Sequence, residues 1–306
     1  MDNQLHISVS PHIRGKRTTQ NIMLDVVLSL LPATVAGVVI FGWKALAVTV
    51  TCIAAAVLGE GLFNLITKRE QTIKDLSAVV TGLLLALNLP ADIPLWQAVI
   101  GAVFAIVIVK CFFGGIGCNM VNPAITGRVF MLVAFGSMAT ASFPVDSVAT
   151  ATPLVEMAEG KIPALADLFL GNVGGSIGET SALALLIGFV YLLARRVITW
   201  QLPVAYIGTV FLLTLAVKGD VTVALAYVLA GGLLLGAIFM ATDYVTSPAT
   251  PAGKLIFGVG AGIITVLIRL WGNYPEGVSF AILLMNILNP FIEKWTTRKV
   301  FGGKKA

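Results

Sequence analysis

Charge is what this sequence has least of. Asp, Glu, Lys and Arg make up 11% of the 306 residues and hydrophobic residues 58%, whereas a soluble domain carries roughly 25% charged residues. Mean hydropathy is +0.95. So few charges cannot cover a water-facing surface of normal size, which excludes a soluble globular domain. Histidine is nearly missing as well, with only His6 and His12, both in the polar N-terminal stretch. The cysteines are Cys52, Cys111 and Cys118. They form no CxxC pair and give no metal-site spacing. An odd number in apolar surroundings reads as buried thiols rather than a disulfide framework, with an iron–sulfur cluster shared between Cys111, Cys118 and a partner as the lesser alternative. There is no P-loop and no HExxH, so any chemistry has to come from a cofactor. Residues 1–20 hold no apolar run of the kind a cleaved signal peptide needs.

Long apolar runs are what the chain does have. A spanning helix needs about 20 mostly apolar residues, and such stretches lie near 21–42, 45–66, 76–89, 95–113, 123–142, 180–194, 201–217, 221–242, 252–271 and 277–292. The expected fold is an all-α polytopic membrane protein with about ten transmembrane helices. The short third and sixth stretches predict helices that start or stop inside the membrane. Alternating the loops with the N-terminus inside puts all of the 20 Lys and Arg on the cytoplasmic side except Lys44, Lys161, Lys218 and Arg269. Both termini are therefore expected in the cytoplasm. The net charge of +5 is then a topology signal and gives no support for nucleic-acid binding.

This topology divides the chain into a cytoplasmic tail (1–20), a five-helix half (21–142), an extracytoplasmic loop (143–179), a second five-helix half (180–292) and a basic cytoplasmic tail (293–306). The loop is acidic, with Asp146, Glu156, Glu159, Asp167 and Glu179 against Lys161. A loop this long in a compact membrane protein points to function.

Ionisable residues in or near the spans are Asp25, Glu60, Lys110, Arg128 and Asp243. Charges at membrane depth face a cavity or a partner, but most of these sit within two turns of the expected cytoplasmic surface, where snorkelling or surface pairing accounts for them. Glu60, between Gly59 and Gly61, is the first candidate for an ion pathway, and Asp25 the second. The stretch from Lys110 through Gly114, Gly115, Cys118, Asn119 and Asn122 to Ala124 combines glycines, which let backbones approach closely, with an Asn-Pro-Ala helix start whose freed amides can face a ligand. Ser247–Lys254 has a similar pattern ahead of the ninth stretch, and helices broken at related positions mark sites in transporter-like folds. Two proline-started helices with a cation each are the plainer alternative.

The loop opens on Asp146-Ser147-Val148-Ala149-Thr150-Ala151-Thr152-Pro153-Leu154. Small residues surround the hydroxyls and Pro153 fixes the backbone directly after Thr152, an arrangement that leaves a threonine open to a bulky phosphate-linked group. An ordinary turn is the competing reading. Taken together with Ser10-Pro11-His12 and Asn21-Ile22-Met23 at the start, and Phe113–Gly117 with Asn122–Arg128 in the centre, this stretch resembles the RnfD/NqrB family over about residues 10–301. The short N-terminal tail is closer to the Rnf members than to the sodium-pumping NADH:quinone reductase members, which carry a longer extension.

The resemblance implies a flavinylation signature with FMN joined through its phosphate to Thr152, flanked by Asp146, Ala151 and Pro153. Here Ala149 and Thr150 stand where the family shows Ser/Thr and Gly. It also implies a second, non-covalent riboflavin, for which Gly114, Gly115, Asn119 and Asn122 are the expected neighbourhood. By the same resemblance the chain relays electrons between flavins in an ion-translocating (Na+ or H+) complex that exchanges electrons between ferredoxin and NAD. It would be an oxidoreductase subunit inactive alone, multi-pass in the inner (plasma) membrane of a prokaryote, in contact with lipid and with membrane and peripheral subunits of an Rnf-type complex, and matured by a flavin transferase. The competing classes are a solute or ion transporter or channel without redox activity, and a structural membrane scaffold.

Overall fold

The computed structural model describes residues 17–135, 142–143, 152–272 and 276–297. The helices are α1 (Thr19–Phe41), α2 (Trp43–Ile66), α3 (Ser77–Leu87), α4 (Leu95–Val103, continued as a π-helix over Phe104–Cys111), α5 (Pro123–Ala134), α6 (Pro153–Ala158) and α7 (Leu165–Leu170). They continue as α8 (Ala182–Ala194), α9 (Gln201–Lys218), α10 (Val221–Leu229), α11 (Leu233–Leu235, continued as a π-helix over Gly236–Met240), α12 (Pro251–Trp271) and α13 (Val278–Thr296). The architecture is the expected all-α membrane fold. Each of the ten apolar stretches forms helix, but not each is a full crossing. Among the described residues α1, α2, α9 and α12 are long and apolar enough to span alone, and α10 with α11, bent by 64° at their break, form a broken span or a re-entrant loop. The fifth stretch, expected to run to 142, leaves the helix at Phe135, which is extended.

The interior lies where the short helices meet the long ones. Leu85, Ile125, Leu185, Leu233, Ile238 and Phe257 are fully buried there. Val35 and Val39 of α1, Leu58 and Leu62 of α2 and Leu212 of α9 face outward, as helices lying against lipid tails require.

A helix that ends at membrane depth must find partners for its terminal backbone groups, and three breaks among the described residues do so. At the end of α3 the Asn88 amide donates back to Leu84 O at 2.6 Å. The carbonyls of Leu87 and Leu89 accept from Gly178 N at 2.8 Å and Ile177 N at 3.1 Å in the segment leading to α8. At the start of α5, Pro123 occupies a position that needs no donor, and Asn122 Oδ1 caps the amides of Ala124 and Ile125 at 3.0 and 3.2 Å. Between α10 and α11, Arg269 of α12 supplies the donors, with Nη1 to Tyr227 O and Nη2 to Ala230 O at 3.2 Å.

The contacts correct two expectations. Arg128 does not snorkel to the cytoplasmic side: it is buried and paired with Glu276, so it lies at the Arg269 end of the bundle, the end the charge count assigned to the outside. Cys118 is exposed on the glycine-rich turn, whereas Cys52 and Cys111 are the buried thiols expected.

Candidate functional site

Thr152 is the first residue of the loop's helical part. It is the N-cap of α6, its carbonyl accepts from Glu156 N at 2.9 Å, and Pro153 follows at N1. A threonine at this position ordinarily accepts on its hydroxyl oxygen a hydrogen bond from an amide of the first turn, but this one makes no such side-chain bond. Its place is fixed from the apolar side, because Leu154, Met157 and Leu168 pack in a small cluster with Ala226, Tyr227 and Ala230 of the α10 end.

Thr152, Pro153 and Leu154 line a cavity of about 340 Å³ whose other walls come from α5, the segment before α8, the break after α10 and the start of α13. Its floor is charged. Arg128 Nη1 donates to Asn88 Oδ1 at 2.5 Å and to Glu179 Oε1 at 2.7 Å, and Nη2 donates to Glu276 Oε2. One guanidinium thereby ties together the end of α3, the approach to α8 and the approach to α13. Burial pushes the Glu179 carboxyl up to about 7; Arg128 opposes the shift and Glu276 adds to it. Glu179 precedes α8 and lies outside the spans.

The other anticipated residues are elsewhere. Asp146 and Ala151 lie outside the described residues. Gly114 and Gly115 have φ of +120° and +95°, a backbone that side-chain-bearing residues rarely adopt, and Gly115 has open space where a Cβ would sit. Asn119 bonds Val121 O at 3.1 Å and reaches Asp243, and Asn122 bonds Met240 O at 3.1 Å. This group sits at the start of α5. Arg128 is six residues further along, about 9 Å at the helical rise, so α5 stands between the glycine turn and the Thr152 cavity. Glu60 and Asp25 do not line that cavity. Glu60 is held by Lys110 and Thr72, and Asp25 by Tyr191 and Arg195 at 3.1 Å each.

Sequence reasoning missed Glu276 altogether and gave Glu179 only a place in an acidic loop. The available signal was Arg128 itself, a full charge within an apolar run, which needs an acid, backbone carbonyls or a cavity to face.

The chain matches the model of the NQR2, RnfD, RnfE family over residues 6–302. It is 46% identical to the D-type subunit of the Na(+)-translocating ferredoxin:NAD(+) oxidoreductase complex of Acetobacterium woodii, with 99% of this chain and 98% of that one covered. It is 43% identical, with the same coverage, to the D-type subunit of the proton-translocating ferredoxin:NAD(+) oxidoreductase complex of Clostridium ljungdahlii. The D-type subunit of the ion-translocating oxidoreductase complex of Escherichia coli is 33% identical, over 98% of this chain and 99% of that one. Matched over nearly its whole length, a range that takes in both the Asn-Pro-Ala helix start and the Thr152 stretch, the chain belongs to the NQR2, RnfD, RnfE family.

Proposed function

We propose that this chain is the D-type membrane subunit of an ion-translocating ferredoxin:NAD+ oxidoreductase complex, and that it carries FMN on Thr152. The relatives' names support the first part. The observation that supports the second is the Thr152 hydroxyl, unused as a helix cap and set at a cavity of about 340 Å³. FMN supplies one- or two-electron chemistry, and its ring system is a bulky, partly polar solid that suits a cavity walled by Val129, Leu132, Leu154 and Leu168 with polar groups at the floor. Thr152 Oγ1 holds the phosphate in ester linkage, Pro153 restrains the backbone beside it, and Leu154 anchors the segment to the α10 end. Arg128, fixed by two carboxylates, keeps a cation at the floor.

The reading includes both termini in the cytoplasm, Thr152 on the outer face of a prokaryotic inner membrane, a flavin transferase for maturation and the other Rnf-type subunits as partners. Electrons that enter and leave on the cytoplasmic side then have to cross to Thr152 and return. A non-covalent riboflavin near the glycine turn, on the far side of α5, would serve the return. The test is direct: the chain coexpressed with a flavin transferase yields a peptide spanning 152 that is heavier by one FMN less water. An unmodified peptide from a transferase-competent host sinks the assignment.

A further inference from the structure

The charges on the cavity floor do not pair off one to one. Arg128 serves two carboxylates, Glu179 Oε1 and Glu276 Oε2. The second arginine nearby, Arg269, gives its donors to backbone carbonyls: Nε to Glu276 O at 3.1 Å, and Nη1 and Nη2 to the end of α10. Its charge is thus set against the negative end of a broken helix. Glu276 Oε1 is buried and accepts from nothing among the described residues. A Cβ built on Gly232 would stand 2.5 Å from Glu276 Oε1 and 2.8 Å from Glu179 Oε1, so the two carboxylate oxygens converge on one point above that glycine. Glu179 Oε1 accepts from Arg128 Nη1 while Glu276 Oε1 has no donor among the described residues, and two buried carboxylates so close are costly. One proton shared between them removes both the repulsion and the missing donor, as in other carboxylate dyads. A further buried hydroxyl in the same wall, Thr180 Oγ1, also lacks a partner, and Thr180 is only 3% exposed.

We propose that Glu179 and Glu276 bind one exchangeable proton between them above Gly232, making the floor of the Thr152 cavity a proton-binding site. The groups facing the pair are Arg128 from α5, Arg269 from α12 and the amide of Asn88 after α3, with the phenols of Tyr206 (α9) and Tyr227 (α10) within electrostatic reach. No lysine or histidine is among these groups, so the pair itself is the part of the floor that titrates. The raised Glu179 carboxyl places the exchange near neutrality. The cavity gives the proton its route, since Glu276 keeps 26% of its side chain exposed and both acids line the same space. Any occupant of the cavity therefore sees a floor whose charge changes by one as the proton comes and goes. The site belongs to the chain itself and does not require the Thr152 assignment.

Infrared difference spectroscopy on the full chain in lipid nanodiscs tests it, with the pH lowered from about 8 to about 5. Expected is a protonated-carboxyl C=O band that grows through neutrality and shifts in D2O, present equally in Thr152→Val, where no attached group contributes. In Glu276→Gln the new amide donates to Glu179, so the band midpoint falls by at least about one pH unit. Glu179→Gln removes the band, and either variant decides if the other fails to fold. No band titrating in that range, or a band unmoved in both Gln variants, overturns the proposal. A wild-type chain that titrates as expected yet never takes flavin refutes the Thr152 reading and leaves the proton site standing.

Discussion

Lys110 Nζ stands 2.8 Å from Glu60 Oε2, with the two side chains only 3% and 2% exposed. Ser77 Oγ also accepts from Lys110, and Thr72 Oγ1 donates to Glu60 Oε1, so each member of the pair is held by a further hydroxyl between α2 and the π-helical turn of α4. Removing one partner of such a pair leaves a buried charge unmatched and costs about 3–5 kcal/mol. Glu60→Gln is expected to lower the thermal midpoint of the purified chain sharply, and Glu60→Gln with Lys110→Met to recover most of the loss. If Glu60 also lies on the ion route, that repaired double variant still loses ion-coupled electron transfer in the assembled complex. A double variant that recovers both stability and coupling leaves Glu60 a structural role only.

Glu179 predicts how stability depends on pH. Its carboxyl is raised from an ordinary value of 4.5 to about 7 in the fold. The native state therefore binds a proton that the unfolded chain gives up, and stability is highest below 4.5 and falls as pH rises toward 7. Above 7 this contribution is constant. Thermal midpoints measured across that window should decline in the wild type and flatten in Glu179→Gln. A wild-type midpoint that rises between 4.5 and 7 in parallel with Glu179→Gln would show that the buried carboxyl is ionised throughout.

Arg269 holds a broken helix, and its loss should be felt far more than that of a surface pair. It donates to Tyr227 O, Ala230 O and Glu276 O, and each buried carbonyl left without a donor costs about 1–3 kcal/mol. Arg269→Lys keeps the charge but lacks the planar fork that reaches three acceptors, so it should rescue little of what Arg269→Met loses. Lys44→Met is the contrast. It breaks the Lys44–Asp92 pair, whose side chains are 57% and 55% exposed, and should change stability by less than about 1 kcal/mol. Equal destabilisation by Arg269→Met and Lys44→Met would remove the capping role.

The helices were legible because the membrane forces a long apolar run wherever one crosses, each helix satisfying its own backbone within the span. The break at Asn122-Pro123 was legible too, since Asn and Pro announce a helix start by local chemistry. The break at Ala230-Gly231-Gly232 was not: 221–242 reads as one apolar run, and what satisfies its ends is Arg269, 39 residues beyond Ala230. The same limit hid the cavity floor. Glu179 and Glu276 are separated from Arg128 by 51 and 148 residues, and no periodicity relates them. Arg128 passed as a snorkelling cation because sequence gives its depth but not its partners. Thr152 could be singled out in the sequence because the features that mark it are local, in Ala151, Pro153 and Leu154.

Which hydroxyl carries the flavin is the decisive prediction, because Thr150 and Thr152 stand in one short stretch and Thr150 occupies the position where the family shows glycine. Thr152 is the residue with the family spacing from Asp146, and it borders the cavity with its side chain free of the α6 cap. Thr150 lies outside the described residues and has only proximity in its favour. Replacing threonine by valine removes the oxygen while roughly keeping the shape, so loss of modification reports on chemistry more than on packing. Coexpressed with a flavin transferase, Thr152→Val should lose its in-gel flavin fluorescence, and Thr150→Val should keep most of it. Loss confined to Thr150→Val would move the attachment by two residues, away from the α6 start. Fluorescence persisting in the double variant would remove this loop as the attachment site and leave the cavity to a ligand that is not covalently held.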